Sequence, residues 1–448
     1  MTKTTRILAA ALIPLLLGAA AGPLRPQETF SSGWKFPVTQ YRLKNGLRVV
    51  LSEDDTLPVV SVVVAYGAGS IREQPGQTGL AYFLENLMFQ GSENVSPLQH
   101  LSFIQKVGGE LNANTTLAKT LFYETLPSNQ LALALWLESD RMKSLAFAPA
   151  SVESIKEDLI EAHWRRLATE PYVDSYAVFD AVLYPDFPYG HPLAGGGEEL
   201  KNLTLDDVRA FYKRYYVPAN AVLAIVGDFP LPRAKELVAR YFDSIPPGTV
   251  APTPPLPRFE QEREVVQTMK DVLLPTPGFH LGYRLSPLQT GDRYAMRILD
   301  YLVFHGKTSR LYSRIMKKDL TAYYLSGGLE LRQDLPAFKI FALNINEVLV
   351  DRCQKAILSE FDKLKVSLPP ESELDKAKRL YKMDYLRRLS STLDRGLLLA
   401  DAAFDGIPVS ELSSELDRYM KVSAQSVNSL MTRLFIPSNM VILNIRNK

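Results

Sequence analysis

Residues 203–226 read LTLDDVRAFYKRYYVPANAVLAIV, and residues 422–445 repeat the same pattern as VSAQSVNSLMTRLFIPSNMVILNI. At an offset of 219 residues the identical pairs are Val208/Val427, Arg214/Arg433, Pro218/Pro437, Asn220/Asn439 and Val222/Val441. Each copy predicts a capped helix, a Pro-x-Asn turn and an apolar strand. Such self-similarity indicates an internal duplication, in which two homologous units each build their own sheet.

A second pair of segments repeats at nearly the same spacing. At an offset of 215 residues the matched pairs are Leu84/Leu299, Leu87/Leu302, Phe89/Phe304 and Gly91/Gly306. Each half therefore carries an equivalent helix ahead of its last strand. The predicted order of strands, helices, strands, helices and a final strand favours an α+β fold. We expect two homologous domains, each a mostly antiparallel sheet packed with helices.

Turn and alternation signals locate the elements of the first half. Asn45-Gly46 between apolar runs predicts a hairpin over residues 41–51. Residues 59–67 read as a buried strand, and residues 109–126 as a strand pair. Residues 78–91 predict a helix with Thr78 as its N-cap.

A proline-rich connector separates the halves. We expect domains at residues 33–245 and 259–448, joined by residues 246–258, which hold so many prolines that an extended, semi-rigid segment is predicted.

The N-terminus has the features of an export signal. Lys3 and Arg6 precede an apolar run over residues 7–17 and the small residues Gly18 to Ala21. A basic start, a short apolar stretch and small residues are typical of a cleavable secretory signal. We therefore expect residues 1–21 to be removed and the protein to be periplasmic or secreted.

Charge and cysteine content exclude several classes of protein. Without Lys3 and Arg6 the 51 basic residues become 49, equal to the 49 acidic residues, so neither nucleic acid nor an anionic membrane is an expected partner. No window after residue 21 approaches the ~18 apolar residues of a membrane span. The single Cys353 lies in an amphipathic stretch and is predicted to be a buried apolar residue.

The helix over residues 78–91 contains the sequence GLAYFLENLMFQG from Gly79 to Gly91. It is similar to the inverted zinc motif H-x-x-E-H, in which two imidazoles lie at i and i+4 beside a general-base glutamate. Here the three positions hold Tyr82, Glu85 and Asn86, so the carboxylate is present and both imidazoles are absent.

Further segments extend this likeness along the chain. They are residues 89–95, 108–113, 123–127, 136–142, 184–192 and 215–228. On these segments and the motif, the chain resembles the pitrilysin/insulinase family of metallopeptidases, and it is most similar to the short, exported bacterial members. These work as pairs of chains that close a clam-shell chamber.

The resemblance assigns a third ligand position to Glu161, which follows Asn86 after 74 intervening positions. Zinc prefers nitrogen and sulfur donors, and a phenol at Tyr82 or an amide at Asn86 is a poor replacement. We therefore predict no zinc and no intact catalytic residue, with Glu85 as the retained general-base position. His163 could supply an imidazole, but it should point away from Glu161 on a helix.

The family's second half typically supplies an Arg and a Tyr seven residues apart, near an S-R-L-Y segment. Residues 309–312 read SRLY, and the Tyr position is Tyr323, but the Arg position holds Met316 with Lys317 beside it. The second half thus also departs from the family pattern.

The resemblance also implies a peptide-binding edge. Family members bind substrate as an added strand, and the matching edge here comprises Leu111, Asn112, Ala113 and Asn114. We expect a non-catalytic, peptide-holding subunit whose partner is a homologous chain with an intact motif. Two alternatives stay open: an active zinc endopeptidase with atypical ligands, and a stand-alone peptide-binding or scaffold protein.

Overall fold

A computed structural model describes residues 37–249, 252, 261–286, 288–289, 291–331 and 335–446 of the 448-residue chain. The predicted signal at residues 1–21 lies outside these residues. Of the predicted connector at residues 246–258, only 246–249 and 252 are described, and they form neither helix nor strand. The domain limits 33–245 and 259–448 therefore stay predictions.

The first half alternates strands and helices in the predicted order. Its elements are β1 (Val38–Arg42), β2 (Arg48–Glu53), β3 (Val59–Tyr66), α1 (Leu80–Leu87), α2 (Gln99–Lys106), β4 (Glu110–Thr115), β5 (Thr120–Pro127), α3 (Leu131–Lys143), α4 (Pro149–Thr169), α5 (Val173–Leu183), α6 (Gly197–Asn202), α7 (Leu205–Tyr215), β6 (Ala221–Gly227) and α8 (Leu231–Phe242).

The second half repeats this order with longer helices after its hairpin. Its elements are β7 (Val265–Lys270), β8 (Gly278–Arg284), α9 (Asp292–Val303), a π-helical turn (Tyr312–Lys318), β9 (Tyr324–Glu330), β10 (Ala337–Leu343), α10 (Glu347–Val366), α11 (Glu371–Ser390), α12 (Thr392–Phe404), α13 (Leu412–Met420), α14 (Ala424–Leu434) and β11 (Met440–Arg446).

The strands form two sheets with one shared topology. In the described residues the first sheet has the order β1-β2-β6-β3-β5-β4 and the second β7-β11-β8-β10-β9. The pairs β2–β6 and β7–β11 are parallel, and the other pairs are antiparallel. The second sheet is thus the first without β1, and β4 and β9 are equivalent edge strands. The predicted α+β fold with two mostly antiparallel sheets is confirmed.

The repeat that predicts the duplication has the same structure in both halves. Helix α7 begins after a capping box at Thr204, and α14 begins after one at Ser423. After each helix the turn asparagine donates to a carbonyl five residues back: Asn220 to Tyr215 at 2.8 Å, and Asn439 to Leu434 at 2.9 Å. The side-chain bond makes a sharp reversal from helix into strand, which explains why both residues recur at one offset.

The two halves exchange helices. Helix α12 of the second half packs on β3 and β6 of the first sheet, while α5 of the first half packs on β8 and β11 of the second. Arg395 at the start of α12 forms an ion pair with Asp54 at 2.5 Å, and Arg48 donates to the Ala403 carbonyl at 2.8 Å. The exchange covers the face of each sheet that its own helices leave open.

Other local predictions have mixed outcomes. The hairpin over residues 41–51, the strand over residues 59–67 and the strand pair over residues 109–126 are present as β1–β2, β3 and β4–β5. Cys353 is fully buried in α10, as predicted, and burial raises its pKa to about 11. Thr78 as N-cap is wrong, and the first turn of α1 is capped by a different group.

Candidate functional site

Helix α1, which carries the degenerate motif, begins at a left-handed Gly79 with a φ of 88°. Its free amides are capped by a carboxylate that precedes the helix: Glu73 accepts hydrogen bonds from the Gly79 and Ala81 amides, both at 2.8 Å. The Thr78 hydroxyl bonds instead to Glu199. A side chain at position 79 would clash with the Ala194 carbonyl, so only glycine allows this close approach and the carboxylate cap.

The three motif positions share one half-buried face of α1. Asn86 turns its amide back into the helix and donates to the Tyr82 carbonyl at 2.8 Å. Glu85 faces Thr115 at the end of β4 and hydrogen-bonds with it through one oxygen, whereas its buried Oε2 has no hydrogen-bond partner. Burial raises the pKa of Glu85, and the Thr115 bonds partly oppose that rise.

The predicted third position lies on α4, which packs against α1. The Glu161 side chain is 75% exposed and forms an ion pair at 3.5 Å with Arg165 one turn further along α4. His163 lies on a different, half-buried face, where it contacts Trp164 at 5.0 Å between ring centroids. Its direction away from Glu161 follows the prediction. In the described residues no hydrogen bond or ion pair joins Glu161 to the motif positions.

The donors that remain do not fit zinc. A phenol, an amide committed to its own helix and one carboxylate lack the nitrogen and sulfur atoms that zinc prefers. In the described residues, one group of three His, Cys, Asp or Glu side chains offers ligand atoms within 4.8 Å of one another, and it excludes Glu85 and Glu161.

That group is a buried cluster of His100, Glu124 and Glu138, which the sequence analysis missed. Glu138 is held from both oxygens by Arg141, and the Arg141 guanidinium lies 4.2 Å from the Phe122 ring centroid. Arg141 already supplies a cation here, which leaves little electrostatic reason for a metal ion. The spacing of Glu138 and Arg141 at i and i+3 among apolar neighbours was the available signal.

The second pair of this cluster is neutral near pH 7. His100 Nε2 lies 3.3 Å from Glu124 Oε2, and both side chains are buried. Burial raises the pKa of Glu124 to about 8 and lowers the pKa of His100 to about 3. Glu124 therefore keeps its proton and donates to an unprotonated imidazole, beside the Glu138–Arg141 ion pair.

Strand β4 is the open edge of the first sheet, since it pairs only with β5. Leu111 and Ala113 are half-buried, whereas Asn112 and Asn114 are exposed on the other face. The edge is short, and Asn112 Oδ1 accepts the Ala113 amide at 2.8 Å. The four predicted peptide-binding residues of this strand thus lie together on an accessible edge.

The predicted residues of the second half lie elsewhere. Tyr323 is 49% exposed, and within the described residues it bonds to Thr276 at 2.5 Å and to the Leu343 carbonyl at 3.1 Å. Met316 packs partly buried against the second core, and Lys317 lies over the Tyr312 ring. These contacts do not join Tyr323 to the β4 edge.

Comparison with known proteins supports a family assignment. Residues 48–183 match the family described as Insulinase (Peptidase family M16), and residues 202–381 match the Peptidase M16 inactive domain. The zinc protease PqqE of Helicobacter pylori is 30% identical over 370 residues, which cover 80% of this chain and 82% of that protein. The chain belongs to the M16 insulinase family. Its degenerate motif lies in residues 48–183, which match the Insulinase (Peptidase family M16) description. The match to the inactive domain covers residues 202–381 and does not include the motif.

Other M16-like proteins agree in sequence and fold. An uncharacterized zinc protease of Mycobacterium leprae is 27% identical over 317 residues, or 68% of each chain. The crystal structure of a protease from Helicobacter pylori has a TM-score of 0.86 at 25% identity, covering 92% of this chain and all of that one. The periplasmic protease PqqL of Escherichia coli has a TM-score of 0.71 at 18% identity, and this chain covers 48% of it.

Proposed function

We propose that this M16 chain is a non-catalytic, peptide-holding subunit of a heteromeric exported peptidase, and that it binds no zinc. The observation that carries the proposal is the set of contacts made by the polar side chains at the motif positions. Asn86 is bonded to its own helix, Glu85 to Thr115, and Glu161 faces solvent on α4. A zinc-bound water would lack its metal, because none of these donors is the nitrogen or sulfur that zinc prefers.

Peptide capture does not require the metal. An extended peptide that adds to a sheet edge is bound through backbone hydrogen bonds, with side-chain pockets adding specificity. Strand β4 offers such an edge at Leu111 to Asn114. Tyr323, exposed at the start of the second sheet's edge region, is a second proposed peptide contact.

The proposed partner is a homologous chain with an intact H-x-x-E-H helix. Support comes from size, because this chain corresponds to about half of PqqL and superposes on the first half of that protease with a TM-score of 0.72. One chain therefore represents one side of the larger enzyme. The periplasmic location of PqqL and the features of residues 1–21 support export. No helix in the described ranges is long and apolar enough to span a bilayer.

The experiment uses the purified full chain and the chain captured from its native host. Metal content is measured by mass spectrometry, and cleavage of fluorescein-labelled casein is followed with and without chelator. We expect less than a tenth of an equivalent of zinc, no cleavage by the chain alone, and co-purification of a zinc-bearing homologue. Cleavage by the isolated chain that chelation stops would overturn the proposal in favour of an active enzyme. A stable chain with bound peptide and no zinc-bearing partner would favour the stand-alone binding protein.

A further inference from the structure

We propose that Glu85 is a positioning residue that closes one end of the β4 edge and thereby sets the register of a bound peptide strand. The inference rests on the proposed peptide-holding function, and it gives the retained carboxylate a role that needs no metal. Three observations carry it: the direction of the β4 amides, the contact between Glu85 and Thr115, and a matching contact in the second half.

The hydrogen-bonding pattern of the β4–β5 hairpin fixes which amides face outward. The Thr116 amide donates to the Lys119 carbonyl at 2.8 Å across the turn. In an antiparallel ladder, hydrogen-bonded pairs alternate with pairs whose amides point away from the partner strand. The next pair, Thr115 with Thr120, is therefore of the second kind. By the same alternation the amides of Ala113 and Leu111 also face the open edge.

Glu85 takes the last of these three outward amides. Its carboxylate accepts from the amide of Thr115, whereas the amide of Ala113 is held only by the exposed side chain of Asn112. An incoming peptide can replace the Asn112 contact by a small side-chain rotation. It can pair at Thr115 only if the half-buried Glu85 side chain rotates away from that amide. The peptide is thus left with Leu111 and Ala113 as its pairing positions.

The second half repeats this contact in a region with no metal motif. At the offset of 215 residues Glu85 corresponds to Asp300 on α9, and Asp300 is almost fully buried. Its Oδ1 accepts the amide of Leu329 on the edge strand β9 at 3.0 Å. Gly328 lies so close that a side chain there would meet Asp300 Oδ1 at 2.7 Å. An acidic residue of the central helix therefore holds the equivalent edge strand in each half.

The matching contact of Asp300 favours a positioning role for Glu85 over an inherited catalytic role. A catalytic carboxylate has no reason to recur in a half whose matching helix carries Arg297 and Tyr301 at the other two motif positions. A carboxylate that satisfies an edge amide is needed in both halves, since a buried amide without an acceptor costs about 1–3 kcal/mol.

The test compares Glu85→Ala, Glu85→Gln and Asp300→Ala in the full chain. Amide hydrogen exchange is measured at Thr115 and Leu329, and affinity is measured by anisotropy of fluorescein-labelled casein. We expect Glu85→Ala to speed Thr115 exchange at least tenfold and to weaken binding about fivefold. Glu85→Gln, which keeps an acceptor oxygen, should retain both values within twofold. Asp300→Ala should speed exchange at Leu329 alone and leave casein affinity unchanged.

Two outcomes would overturn the inference. One is unchanged exchange at Thr115 and unchanged affinity in a folded Glu85→Ala variant. The other is an equal loss of affinity in Asp300→Ala, which would mean that general destabilisation explains the effect. Because exchange at Thr115 needs no ligand, it tests the contact even if the wild-type chain binds no casein. In that case the proposed function fails while the contact between Glu85 and the edge strand stands.

Discussion

Asn220 and Asn439, 219 residues apart, make the same hydrogen bond in the two halves, each closing the turn between a capped helix and the last strand of its sheet. Asn220 is 6% exposed, whereas Asn439 is only half-buried. We expect Asn220→Ala to lower the free energy of unfolding by about 1–2 kcal/mol, because the Tyr215 carbonyl loses its donor inside the core.

Asn439→Ala is the matched control, with an expected loss of less than half that value since water can reach the Leu434 carbonyl. Urea denaturation followed by circular dichroism measures both. Equal losses would show that burial does not set the difference.

The buried carboxyl groups make stability depend on pH. The pKa of Glu124 is raised to about 8 by burial, so the folded chain binds a proton that the unfolded chain has released above its ordinary value near 4.5. The protonated Glu124 therefore contributes fully to the free energy of unfolding below pH 4.5, and this contribution is lost as the pH rises from there to about 8. Glu124→Gln mimics the protonated acid and should remove this decline, a relative gain of about 2–4 kcal/mol at pH 8. His100, with its pKa lowered to about 3, acts in the opposite sense below pH 6.5.

The measurement is urea denaturation of wild type and Glu124→Gln between pH 5 and pH 8. If the free energy of unfolding changes with pH in the same way for both proteins, Glu124 is not protonated in the folded state.

Glu138 is expected to behave differently from Glu124 although the two belong to one cluster. It is the acceptor for Arg141 through both oxygens, and Arg141 is itself buried. Glu138→Gln should cost about 3–5 kcal/mol at neutral pH, since it leaves a buried guanidinium without its counter-charge. Thermal unfolding at pH 7 checks this against Glu124→Gln, and a loss in Glu138→Gln no larger than in Glu124→Gln would refute the assignment of charges.

Gly396 is the point where exchanged helix α12 approaches the first sheet. A Cβ atom there would lie 3.1 Å from Val63 Cγ2 and 3.6 Å from Val226 Cγ2. Gly396→Leu should cost about 1–3 kcal/mol or prevent docking of α12, because the interface is already filled. Gly396→Ala should be close to neutral, since the gain in helix propensity of about 1 kcal/mol offsets a slight contact.

Chemical denaturation with limited proteolysis of α12 measures this prediction. Equal stability of Gly396→Leu and wild type would mean that the two halves are not closely packed at this helix.

Restoring the imidazoles tests the metal site. The double variant Tyr82→His, Asn86→His places two nitrogen donors at i and i+4 on α1, and we expect it to bind zinc at micromolar concentrations. Casein cleavage should not return, because Glu161 faces solvent and Glu85 is bonded to Thr115. Zinc titration and a casein assay measure the two effects. Chelator-sensitive cleavage by the double variant would show that Glu161 and Glu85 can still complete an active site.

Local chemistry made much of the fold predictable. Asn45-Gly46 defined a hairpin, and the alternation over residues 109–126 defined the edge strand and its partner. Thr78 as an N-cap failed because capping was inferred from the side chain next to the helix, whereas the carboxylate of Glu73, in the loop before it, accepts the first amides. A count along the chain assigned Glu161 to α4, but its exposure and its ion pair with Arg165 are properties that the count could not give.

The sequence by itself determined the duplication, the two sheets and the loss of both imidazoles, because periodicity, turn residues and side-chain chemistry are local properties. Only the tertiary structure decided that the halves exchange α5 and α12, that Glu124 and Glu138 share a buried cluster, and that Glu85 closes the β4 edge. These contacts join residues distant in the chain, and their energies depend on burial and direction, which no local pattern encodes.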